Sequence, residues 1–162
     1  MNVSTFYALF STTCLALVGL WWGVVDRRRD LTADAPGRRL AGGVYLSFLL
    51  PGLMGLFAQV APDRSVVWRT CFAVVSVVGC ASTIALVRRE AGSRPPGPLA
   101  RNRWLVAVAY GLVAVVAVTP ASVTAHTGLA PIQLAAIVLI LLVLLGHGLA
   151  WELLLSRDDE SS

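Results

Sequence analysis

Charge in this chain is confined to short clusters, and between the clusters lie five long runs with almost nothing polar in them. A helix rises about 1.5 Å per residue, so about 20 apolar residues cross a hydrocarbon core of about 30 Å. The runs at about 5–25, 40–61, 66–87, 104–119 and 131–155 are therefore expected to be transmembrane helices, the fourth being the shortest. Of 162 residues, 57% are hydrophobic and 14% charged, against about 25% charged in an average soluble domain. That leaves no material for a separate soluble core. The expected fold class is an all-α integral membrane protein of one domain.

The loops set the expected orientation. The first, 26–39, carries Arg27, Arg28, Arg29, Arg38 and Arg39. The third, 88–103, carries Arg88, Arg89, Arg94, Arg101 and Arg103. The second holds Arg64, with Arg69 just inside the next run, and the fourth, 120–130, has no charge. Basic residues favour the cytoplasmic side, and an even number of spans puts both basic loops there. The N-terminus is then outside and the C-terminal tail inside. No basic residue precedes the first apolar run, as one would in a secretory signal. The third loop includes Ser93-Arg94-Pro95-Pro96-Gly97-Pro98, which excludes helix and reads as a linker.

All 13 basic residues are Arg. With abundant Ala, Val, Gly and Leu, this points to a GC-rich bacterial coding sequence and hence to the cytoplasmic membrane. A net charge of +4 does not call for a nucleic-acid partner, because the Arg residues flank apolar runs and topology accounts for them. They are also placed to hold anionic lipid headgroups. Cys14, Cys71 and Cys80 lie within apolar runs and form no C-x-x-C pair, so they read as packing residues rather than disulfide partners or metal ligands. No cofactor is expected.

Four constellations are candidates for function. The fifth run contains Gly146-His147-Gly148-Leu149-Ala150-Trp151-Glu152. His147 and Trp151 are four apart and share a helix face, with His147 about 24 Å along the helix from Pro131. Ionisable groups inside a span usually face a bundle interior or wet cavity, and histidine changes charge near neutral pH. The H-x-x-x-W spacing is similar to that of the influenza virus proton channels. There the histidine relays protons and the tryptophan gates, which implies the same roles for His147 and Trp151. The resemblance covers these two residues and the nearby acid Glu152, and implies no kinship. The alternative is an interfacial Trp, a snorkelling Glu and a His bonded to a neighbouring helix.

The second run contains Pro51, Gly52, Gly55 and Gln59. A mid-span proline kinks the helix, and the glycines and amide fall on one face. Such a helix lines a pathway or forms a close packing seam. In the third run Thr70, Ala73, Ser76 or Val77, Cys80 and Thr83 form a small, weakly polar stripe expected to face protein or water. Arg69 beside Trp68 is expected to snorkel or to pair with Asp63. In the first run, Gly19 and Gly23 permit close helix approach, while Trp21 and Trp22 suit an interfacial belt.

The chain has no H-E-x-x-H, G-x-S-x-G, P-loop or dinucleotide fingerprint, and its two histidines, His126 and His147, fall in different parts of the bundle. An enzyme is not expected. With no internal repeat and no Arg ladder, a two-half transporter and a voltage sensor are disfavoured. The expected function is a small homo-oligomeric channel or passive ion or proton conductor, with its pathway between subunits. The alternatives are a non-catalytic accessory or assembly subunit and, last, a small-solute transporter.

Overall fold

The computed structural model describes residues 2–60, 64–90, 104–124 and 128–158. The Pro-rich linker, Arg94, Arg101, Arg103, His126, Asp63 and the Arg89 side chain lie outside the described residues. All regular structure among the described residues is helical: α1 (Val3–Arg27), α2 (Ala35–Val60), α3 (Ser65–Glu90), α4 (Trp104–Val118) and α5 (Pro131–Asp158). A 3₁₀ turn, Arg29–Thr32, joins α1 to α2, and a one-turn helix, Ala121–Thr124, follows α4. Four of the helices are long and apolar enough to cross a membrane, and the chain is read as a multi-pass membrane protein. With 15 residues, α4 is about 22 Å long and falls short of the other four.

Local chemistry explains the helix ends. Asn2 caps α1, its side chain accepting from Thr5 N at 2.7 Å. The second helix starts earlier than its hydropathy predicts, at Ala35 rather than about residue 40. Asp34 accepts from Gly37 N at 2.8 Å, and Pro36 suits a first turn, where its missing N–H has no helical partner to lose. At the start of α5, Gln133 reaches back to accept from Ala130 N at 2.8 Å, satisfying a donor the helix leaves open.

Consecutive helices run antiparallel, and the contacts fix their register. Along α1 and α2, Trp21 Nε1 donates to Ala41 O at 3.0 Å, and Cys14 meets Gly52. Along α3 and α4, Arg69 meets Thr119 while Gly79 meets Tyr110. The N-terminal ends of α1 and α5 are tied by Tyr7 OH donating to Ile132 O at 2.7 Å. Where water is scarce, each such bond removes a polar group that would otherwise be costly to bury.

Two apolar clusters form the core. The larger gathers all five long helices around Tyr7, Met54, Phe72, Tyr110, Val113, Leu139 and Leu142. The smaller, at the arginine-bearing end, joins α1, α2, α5 and the 3₁₀ turn through Trp21, Leu31, Val44, Phe48 and Leu153.

Candidate functional site

The candidate residues occupy three places. The first is the outward face of α5. Its exposed residues recur at helical spacing: Ile137, Ile140, Leu144, His147, Trp151 and Leu155. Trp151 is 67% exposed, and Glu152, one position round the helix, is half-buried. His147 Nδ1 lies 3.1 Å from Val143 O, one turn earlier in the same helix. A carbonyl only accepts, so in this contact Nδ1 is the donor. The ring stands edge-to-face on Phe48 of α2, with centroids 5.1 Å apart and planes at 65°. Phe48 and the imidazole's own backbone bond thus orient a histidine that is otherwise at the surface of the bundle. Behind it, Gly146 is buried, and an added Cβ there would sit 3.0 Å from Ser47 Cβ and 3.2 Å from Phe48 Cε1. That close approach of α5 to α2 brings His147 against Phe48.

The second place is the seam between α2 and α1. Pro51, Gly52 and Gly55 are all buried. A Cβ on Gly52 would lie 3.0 Å from Cys14 Cβ, and one on Gly55 would meet Ser11 Oγ and approach Tyr7 O to 3.3 Å. These glycines face α1 across a close helix contact. Pro51 removes one rung of the α2 ladder at the same level. Gln59 turns back on its own helix, Nε2 donating to Gly55 O at 3.0 Å.

The third place is the face of α3 that meets α4. Ser76 is buried, and Cys80 and Thr83 are half-buried. Thr83 Oγ1 donates to Gly79 O at 2.8 Å. Thr70 and Val77, also on the expected stripe, are exposed, so the stripe is turned inward only in part. Cys14, Cys71 and Cys80 are free thiols.

Arg69 has partners that its sequence neighbourhood does not announce. Nη1 donates to Thr119 O at 2.8 Å and to Ala117 O at 3.3 Å, and the guanidinium lies 5.3 Å from the Trp68 ring centroid. A cation is favoured at a helix C-terminus, where carbonyls are left without helical donors. Arg69 therefore closes the end of α4. Tyr110, Gly79 and the Tyr7–Ile132 bond were also not singled out by spacing. The signal available for Tyr110 was a single large side chain among Ala109, Gly111 and Ala114.

At the opposite end, Arg28 pairs with Asp30 at 3.2 Å in the open, a geometry worth little by itself. Arg38 Nη1 donates to Thr32 O at 3.1 Å and Ala33 O at 3.3 Å, bracing the connection into α2. Arg27, Arg29, Arg39 and Arg88 are exposed. Compared with known proteins, the chain matches no family model, no curated protein and no solved structure.

Proposed function

We propose that the chain is a five-span protein of the bacterial cytoplasmic membrane, with its N-terminus outside and its C-terminus in the cytoplasm. In this reading it assembles as a homo-oligomer and conducts protons or small ions along a path between subunits. One observation carries the reading: His147 and Trp151 lie together on the outward face of α5. An imidazole facing lipid is costly, and a neighbouring copy gives it cover. In a closed ring the same face of each copy meets a shared axis or interface, so the histidines converge. Nδ1 of each ring is engaged by Val143 O, which leaves Nε2 to exchange protons along the path. Trp151, one turn towards the arginine-bearing end, is placed to obstruct the path.

The seam candidates support an intersubunit path in a different way. Gly52 and Gly55 are occupied by contact with α1, so the interior at that level is filled by helix packing. The test is ion flux into liposomes at two pH values with several salts, comparing the native protein with His147→Ala. Flux should increase on acidification in the native protein and lose that dependence in the variant, with the oligomer intact by native mass spectrometry. Flux with unchanged pH dependence in the variant would remove His147 from the mechanism.

A second reading, an accessory subunit, is favoured by Arg27, Arg29, Arg39 and Arg88, which are exposed at one end of the bundle. They suit an acidic partner surface or anionic lipid headgroups. Absence of flux from an intact oligomer, with a second protein co-purifying, would favour this reading.

A further inference from the structure

Away from the α5 face, the bundle core holds two hydroxyls that no group among the described residues satisfies. Ser76 is 1% exposed, and its Oγ has no hydrogen-bond partner. Tyr110 is 2% exposed, and its phenolic OH has none either. Packing brings them to the same region. The Tyr110 ring lies on the α3 backbone at Gly79, where an added Cβ would sit 2.6 Å from Cε1. Ser76 precedes Gly79 by one turn on that helix face. Ser76 lies about 16 Å from the first residue of α3, and so well inside the bundle.

Tyr7 supplies the contrast. It is as deeply buried, at 1% exposed, yet its OH donates to Ile132 O at 2.7 Å. A hydroxyl both donates and accepts, and a buried water typically makes about three bonds to groups of this kind. We propose that Tyr110 OH and Ser76 Oγ hold an internal water between α3 and α4, making a hydrated site inside each subunit. The site does not depend on conduction or on the α5 face, and it stands or falls separately from them.

The test is radiolytic labelling of the whole protein in lipid nanodiscs. Short X-ray pulses generate hydroxyl radicals from water where it lies, bound water included, and mass spectrometry reads oxidation at each tyrosine. Tyr110 should be oxidised about tenfold faster than Tyr7, although both are buried, because only Tyr110 would have water beside it. In Ser76→Ala the Tyr110 rate should fall towards that of Tyr7. Tyr110 protected as fully as Tyr7, or labelled at a rate indifferent to Ser76→Ala, overturns the shared site. Thermal unfolding gives an independent reading, because Tyr110→Phe keeps the ring against Gly79. Loss of a hydroxyl bonded to water lowers the midpoint, whereas loss of an unbonded hydroxyl raises it, which would overturn the proposal.

Discussion

Helices α1 and α2 each carry a closely spaced glycine pair, and the two pairs have opposite surroundings. On α2, side chains at Gly52 and Gly55 would run into Cys14 and Ser11. On α1, a Cβ at Gly19 or Gly23 would meet nothing within 4 Å. The first helix buries a different face, through Tyr7, Ser11, Cys14 and Trp21, and it is this face that meets α2. Spacing therefore shows where helices can approach closely, and the neighbour decides whether they do. Within one bundle, Gly52 and Gly55 of α2 are a structural requirement and Gly19 and Gly23 of α1 are not.

Alanine substitution ranks these positions. Gly79→Ala should have the largest effect, about 3 kcal/mol of lost stability, because three atoms of the Tyr110 ring lie 2.6–2.7 Å from the new Cβ. Gly55→Ala should cost about 2 kcal/mol, since Ser11 is already committed to Tyr7 O at 2.7 Å and has little room to yield. Gly52→Ala, at 3.0 Å from Cys14 Cβ, should cost about 1 kcal/mol. Gly19→Ala should be neutral or stabilise by about 0.5 kcal/mol, through reduced chain entropy in the unfolded state. Denaturant titration in mixed micelles of a dissociated single chain would measure the series. A loss at Gly19 equal to that at Gly79 would break the comparison and reveal a neighbour on that face of α1.

The main helices were legible because hydropathy marks lipid-facing runs whatever their packing. The early start of α2 was missed because Pro36 reads as a loop breaker unless Asp34 is recognised as the capping residue before it. The sides of the helices were less legible. Soluble helices advertise their inner face by an apolar stripe, but a helix that is apolar all round carries no such mark. Spacing put His147 and Trp151 on one face but could not say that the face is outward. The same ambiguity let Thr70 and Val77 join Ser76 on a single expected stripe. The partners of Arg69 were out of reach for another reason. Thr119 is 50 residues away in the chain, and nothing local to either residue specifies the pairing.

The closure of α4 by Arg69 also bears on how the protein is made. The two carbonyls that Arg69 holds lie at the C-terminal end of α4, Ala117 in its last turn and Thr119 just past it, and α4 is the shortest of the five long helices. Their donor comes from α3, which leaves the ribosome first. If, as proposed, α4 is a fifth span, its partner is already in place when it reaches the bilayer, so α4 need not be stable there alone. Arg69→Met, which keeps the length of the side chain but removes its donors, should leave synthesis of α1 to α3 unaffected. It should make retention of α4 the failing step, detected as a glycosylation or protease tag placed after residue 124 reporting mixed topology. Retention of α4 in full would show that its hydrophobicity alone is enough.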